Sequence, residues 1–229
     1  MTTKLIIVRH GEAEGNIRRI FHGWTDSELT QKGHEQAKLL AMSLKDKPID
    51  VLYSSSLKRT MQTAQYIANV KNLPIITNDK LWEINGGDWE GRYFADIKET
   101  WPKQYDIWEN HLYAHAMPNG ENVEEFLERL KGEIEYIVEI NKDKNICIVT
   151  HGTAIRVLLC YFKGCPLEEI VNIPWGENTS VTVLDYSKDR CNFETVCDSS
   201  HLDSSTGTLI NQNWYKEHMQ KLKGDFIDE

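Results

Sequence analysis

Two arginines and two histidines stand directly behind apolar runs. Arg9 and His10 follow "KLIIV", His151 follows "NICIVT", and Arg59 comes just after "DVLYSS", in the first turn of the next helix. Each run reads as a strand covered on both faces. If the three strands are neighbours, four basic side chains converge at one edge of a sheet. A guanidinium fork matches two phosphate oxygens, and a helix N-terminus adds unpaired N–H groups. The set suits a phosphate. Imidazole titrates near ~6.5, and adjacent arginines push it lower, so a neutral ring with a free lone pair dominates at neutral pH. Such a ring can attack phosphorus, provided its other N–H finds an acceptor. A backbone carbonyl in the Gly11 turn is one candidate.

Phosphoryl transfer also needs a proton for the leaving oxygen. Chemistry leaves four carboxylates open as its donor, namely Glu12, Glu83, Glu90 and Glu121. The competing use of these residues is a metal site built from His10, His151, Glu12 and Glu83. There is no H-E-x-x-H and no compact ligand spacing, and two arginines would repel a cation. The expectation is no metal and no cofactor.

The elements that must position these groups alternate along the chain. "LTQKGHEQAKLLAMSL" places Leu29, Gly33, Ala37, Leu40 and Leu44 on one helical stripe, and "SLKRTMQTAQYIANV" places Leu57, Met61, Ala64 and Ala68 on another. Ser55 or Ser56 is the expected N-cap of the second. "PIIT" is a short strand. "NGENVEEFLERLKGEIEYIVEI" is a helix with an Asn122/Glu125 capping box, and "GTAIRVLLCYF" is the helix after "NICIVT". "SVTVLDY" and "NFETV" are strands. The alternation predicts an α/β fold, a three-layer α/β/α sandwich with a mostly parallel central sheet. Sites in such sheets form at the carboxyl ends of strands, where the four basic residues stand. Residues 80–120, with Trp82, Trp89, Trp101 and Trp108, read as an irregular insertion with one or two short helices. They belong to a single domain spanning 1–229, and their tryptophans either cap a pocket or pack a core. The polar tail from about Ser199 is expected to be loosely held.

Bulk properties narrow the partners. The chain has 229 residues, 40% of them hydrophobic, and a net charge of -9. It shows no basic face for nucleic acid. Five cysteines without a C-x-x-C pair read as free thiols of a reducing compartment. The apolar part of "MTTKLIIV" is too short for a signal peptide, and no run approaches the ~20 apolar residues of a membrane helix. The expectation is a soluble, cytoplasmic protein that does not engage a membrane.

"LIIVRHGEAEGN" (residues 5–16) resembles the R-H-G signature of the histidine phosphatase superfamily, the phosphoglycerate mutase-like proteins. "GWTDSELTQKGHEQA", "YSSSLKRTMQTAQ", "LWEINGGDWEG", "VTHGTAIR" and "NTSVTVLD" resemble, in order, further family segments, so the likeness runs from Leu5 to about Asp185. It implies a phosphoglycerate mutase-like fold. It also implies that His10 becomes phosphohistidine, that Arg9, Arg59 and His151 hold the phosphate, that Glu83 is the acid and base, and that Asn16 adds a phosphate contact. Glu121 is the runner-up acid. Ala13 departs from the usual threonine or serine, and Asn122 from a common serine. His22, Trp24, Thr25 and Arg92 are expected at the substrate mouth, with Trp82. Arg18 and Arg19 read as solvated loop residues, or alternatively as a second anion site. The E-x-x-x-G-x-W-E-G form around Glu83 and the short run after it favour a phosphatase acting on small phosphorylated metabolites. The alternatives are a cofactor-dependent phosphoglycerate mutase and a catalytically weak phosphate-binding module.

Overall fold

The computed structural model describes residues 3–112, 114, 117–187, 191–213 and 215–216. Strand β1 (Thr3–Arg9) lies inside a six-stranded sheet. On one side it pairs in parallel with β4 (Asn145–Thr150), which pairs in parallel with β2 (Val51–Ser54), which pairs in parallel with β3 (Ile75–Thr77). On the other side β5 (Val181–Tyr186) runs antiparallel to β1, and β6 (Asn192–Asp198) antiparallel to β5. The register sets Arg9 opposite Thr150 and Ser54 opposite Val149. His10, His151 and Ser55 therefore leave the sheet along one edge.

Side chains alternate between the two faces of a strand, and each face buries its own cluster. Ile6, Val8, Leu52, Cys147 and Val149 pack under α2 (Gln31–Ser43) and α3 (Lys58–Lys71), which contribute Leu40, Ala64 and Ile67. Leu5, Ile7, Tyr53, Ile146 and Ile148 pack under α6 (Val123–Ile140) and α7 (Gly152–Lys163), which contribute Phe126, Leu130, Ile134 and Leu158. The result is the expected α/β/α sandwich. α6 begins as expected: Asn122 Oδ1 accepts from Glu125 N at 2.8 Å, and the Glu125 carboxylate accepts from Asn122 N at 3.2 Å.

Helix α3 corrects the sequence reading. Its cap residue is Leu57, with no side-chain cap of its own. The first-turn donor Lys58 N is satisfied by Asp26 Oδ1 at 2.8 Å, across 32 residues. This distant carboxylate frees Ser55 and Ser56. Ser55 turns to His151, while Ser56 donates to Asp79 and accepts from Trp82.

The insertion carries α4 (Phe94–Thr100) and α5 (Pro102–Asn110) after two 3₁₀ turns. Trp89 is fully buried, edge-on to Phe21 and Trp108, so it is core. Residues 113, 115 and 116 of this stretch lie outside the described residues, as do 214 and 217–229 of the tail. The described part of the tail is not loose. Leu209 is buried, and its N–H donates to Glu177 at 2.9 Å. Gln36 Nε2 donates to Thr206 O and Thr208 Oγ1, and Thr208 Oγ1 donates to Glu12. Buried polar groups need partners, and the tail supplies them to Glu12, Gln36 and Glu177. The five cysteines are unbridged, with the Cys160 and Cys165 thiols 2.7 Å apart. Among the described residues, no helix is long and apolar enough to cross a membrane.

Candidate active site

His10 follows β1 and is almost completely buried. Its backbone is tied on both sides: its N–H donates to Thr150 O, and its carbonyl accepts from Thr179 N and Asn178 Nδ2. Its Nδ1 lies 2.7 Å from Gly11 O. A carbonyl can only accept, so Nδ1 carries the proton and Nε2 keeps the lone pair. The turn that supplies this carbonyl needs glycine on both sides of a close approach. A Cβ on Gly11 would meet Gly33 O at 2.7 Å, and a Cβ on Gly33 would meet Glu12 O at 2.0 Å. The short helix α1 (Glu14–Arg18) closes the turn without the missing hydroxyl at Ala13. Ala13 N donates to Asn16 Oδ1, and Ala13 O accepts from Asn16 N, both at 2.9 Å.

Arg59 comes from the first turn of α3 and is fully buried. Nη1 donates to Thr25 O, Nη2 to His22 O and Gly23 O, and Nε to His151 Nδ1. Burial lowers its pKa to about 10 against the pull of Glu83, which leaves it charged at neutral pH. His151 caps α7, with its ring centroid 5.4 Å from that of His10. Arg59 engages its Nδ1, and Ser55 Oγ lies 2.8 Å from its Nε2. Because Nδ1 accepts from Arg59, the ring proton is on Nε2, so a phosphate oxygen reaching His151 must displace Ser55. Arg9 packs against Gly152 and donates from Nη1 to Gly176 O at 2.6 Å. Its Nε is buried with no partner. An unpaired buried guanidinium N–H is costly, and an anion beside His10 would satisfy it. Burial, followed by Arg59, holds His10 and His151 well below the usual imidazole range; His22 is held low by burial, then Arg59 and Arg9.

Glu83 comes from the loop after β3 and sits on the N-terminus of α7. Oε1 accepts from Ile84 N and Ala154 N, and Oε2 accepts from Thr153 N at 2.9 Å. These N–H groups, Arg59 and Arg9 favour the carboxylate, but burial outweighs them and raises its pKa.

The other three carboxylates are occupied elsewhere. Glu12 accepts from Thr30 and Thr208 and pairs with Lys32. Glu90 ties Trp24, Thr25 and Gly86 together. Glu121 holds both arms of Arg129. Glu83, unlike these, lines the cavity of about 380 Å³ that opens beside His10.

Among the expected mouth residues, Asn16 and His22 line that cavity, with Asn16 Nδ2 3.2 Å from His22 Nε2. Trp24, Thr25 and Arg92 do not. Trp24 is exposed, donates to Glu83 O at 2.9 Å and meets Trp82 edge-on. Thr25 gives its carbonyl to Arg59 and its hydroxyl to Glu90. Arg92 is drawn outward by Asp88 O and the Trp101 ring. Trp24 and Thr25 support the site from behind. Arg18 points to Tyr93 OH and is exposed, whereas Arg19 lines the cavity. Sequence reasoning missed Ser55, Arg156, Trp175 and Gln212. Ser55 is read as a helix cap, and the others come from elements whose approach to the cavity is decided by packing.

The sequence matches the histidine phosphatase superfamily (branch 1) over residues 5–199. It is 33% identical over 190 residues to phosphoserine phosphatase 1 of Hydrogenobacter thermophilus, covering 82% of this chain and 88% of that one. It is 34% identical over 180 residues to the 2,3-bisphosphoglycerate-dependent phosphoglycerate mutase of Bartonella quintana, covering 75% and 87%. The solved structure of Bacillus stearothermophilus YhfR superposes with a TM-score of 0.83 at 32% identity, covering 88% of this chain and all of that one. With the sheet order, the buried arginines and the tautomer-fixed histidine already in place, these likenesses establish that the chain belongs to the histidine phosphatase superfamily.

Proposed function

We propose that the protein is a phosphomonoester hydrolase working through phosphohistidine on small phosphorylated metabolites. His10 Nε2 attacks phosphorus while the P–O bond to the alcohol breaks in line. Arg9 and Arg59 neutralise the equatorial oxygens, with Arg9 Nε gaining its missing acceptor, and Asn16 adds a contact. His151 orients Arg59 through Nδ1, which accepts from Arg59 Nε, and offers its Nε2–H to the phosphate once Ser55 moves aside. Glu83, entering as the acid, gives its proton to the leaving oxygen. The resulting carboxylate takes a proton from the water that attacks phosphohistidine, releasing inorganic phosphate and restoring both groups. No metal or other cofactor enters these steps. We place the whole of 1–229 in one domain and the protein in the cytoplasm.

The observation that carries this reading is the pairing at His10: a neutral ring whose Nδ1 proton is held by Gly11 O, beside a buried Arg9 N–H lacking an acceptor. The test is to trap the enzyme with labelled substrate and look for an acid-labile, base-stable phosphoenzyme. Wild type should show it, and His10→Asn should lose it together with turnover. A phosphate-binding module would bind without labelling. The second reading, a mutase, is supported by the likeness to the Bartonella quintana mutase. Isomerisation of 3-phosphoglycerate dependent on 2,3-bisphosphoglycerate, without phosphate release, would select it.

A further inference from the structure

We infer that the alcohol this enzyme releases carries a flat, largely apolar body and no second anionic group. The inference rests on the hydrolytic reading above and concerns the lining of the cavity that the phosphate chemistry does not use. A metabolite such as a phosphoglycerate or an amino-acid phosphate brings a carboxylate, which needs its own cation or N–H cluster. The cations near His10 serve the transferred phosphate, with Arg9 Nε as its buried unpartnered N–H, and their other N–H groups are engaged. Arg59 gives four N–H hydrogens to three carbonyls and His151, and Arg9 Nη1 is on Gly176 O.

Beyond them the walls are aromatic and aliphatic. Phe21, Phe94, Tyr105 and Trp108 line the cavity, as do Val171 and Trp175. Phe21 meets Phe94 and Trp108 edge-on at 5.9 and 5.3 Å, so these rings interlock. Two guanidiniums also line the cavity, but both lie over rings. Arg19 sits 5.8 Å from the Phe94 centroid, and Arg156 sits 4.4 Å from that of Trp175. Arg156 further donates from Nε to Ile173 O and from Nη2 to Ile170 O. Glu109, which accepts from Tyr105 OH, brings a negative charge to the same lining. Rings backed by stacked guanidiniums, with a carboxylate among them, recognise a neutral planar group. Arg19 and Arg156 are already engaged by rings, and Arg156 by two carbonyls, so this lining is shaped for a planar apolar group more than for a second anion.

The experiment compares three unactivated primary alkyl phosphates: 2-phenylethyl phosphate, O-phosphoserine and 3-phosphoglycerate. Phosphate release is measured on the full chain. The expected kcat/KM for the phenylethyl ester exceeds that for each of the other two by about tenfold or more, the scale of burying one ring face. Trp175→Ala should shrink that ratio. Glu109→Gln, a change at an exposed side chain, should shift it the other way, raising kcat/KM for 3-phosphoglycerate by about threefold as a like charge is removed. A preference for phosphoserine or 3-phosphoglycerate over the phenylethyl ester overturns the inference while leaving the hydrolase reading intact. Phosphate release from none of the three, with no phosphoenzyme trapped, overturns the hydrolase reading itself.

Discussion

Replacing Glu83 by glutamine separates a proton donor from a structural carboxylate. Three backbone N–H groups converge on the side chain, from Ile84 and Ala154 to Oε1 and from Thr153 to Oε2. The amide oxygen can keep the Oε1 pair, which sets the NH₂ group against the Thr153 donor. One buried N–H loses its acceptor, at about 1–3 kcal/mol. Removing a buried carboxyl whose pKa is raised by desolvation offsets part of that. The stability cost should therefore stay below about 3 kcal/mol, and the protein should fold. The rate should fall much further. A positioned acid contributes roughly 10² to 10⁴, or about 3–5 kcal/mol of barrier, when the leaving alcohol is a poor one. With p-nitrophenyl phosphate, whose phenolate leaves without help, the loss in the first step should be under about tenfold. The assay is the first turnover, release of the alkyl alcohol and of nitrophenolate before the shared hydrolysis of phosphohistidine, with urea unfolding of the same samples. Equal slowing of the two first steps would refute the assignment, because it would mean that Glu83 acts on phosphate or on folding and not on the leaving oxygen. The same reasoning fixes the pH profile. Glu83 must enter protonated, so kcat for the alkyl ester should decline as pH rises through its raised pKa. A rate still climbing above about pH 9 contradicts it.

Three further outcomes follow from the geometry. His10, His22 and His151 have folded pKa values well below the free imidazole value, so the stability they contribute is present above about pH 6.5 and is lost as pH falls toward the folded values. Each should lose stability on the order of 1 kcal/mol between about pH 7.5 and 5.5. Glu83 acts in the opposite sense, so the clean reading is the difference between wild type and His10→Asn in urea unfolding at the two pH values, which should be that amount. Arg59→Lys removes a planar fork that holds His22 O, Gly23 O, Thr25 O and His151, and should lower kcat/KM by roughly 10² to 10³ in a phosphate-release assay. Gly33→Ala drives a methyl to 2.0 Å from Glu12 O, so it should destabilise by about 1–3 kcal/mol in urea and displace the Gly11 turn, lowering kcat as well.

The order of strands and helices, the two-faced apolar strands and the positions of Arg9, His10, Arg59 and His151 can be read from residue type and spacing. Those properties are local: burial on both faces demands continuous apolar runs, and a strand end is defined by where the run stops. The choice of Glu83 is open to chemistry and is indicated only by family resemblance. Structurally it depends on a long-range fact, that the loop after β3 reaches the N-terminus of α7. The same kind of fact overturns two local readings. Ser55 is an ordinary cap candidate by sequence, but Asp26 caps α3 from 32 residues away and Ser55 turns to His151. The tail after Ser199 is polar and short of apolar residues, yet it supplies partners to the buried acceptors and donors of Glu12, Gln36 and Glu177. Trp24, Thr25 and Arg92 stand close in sequence to site residues, but packing turns them behind or away from the cavity while bringing Arg156 and Trp175 into it. Residue type and period determine what each element can bury and what chemistry it carries. Which side chains meet is decided by how the layers close, because hydrogen-bond satisfaction and packing act between residues far apart in the chain.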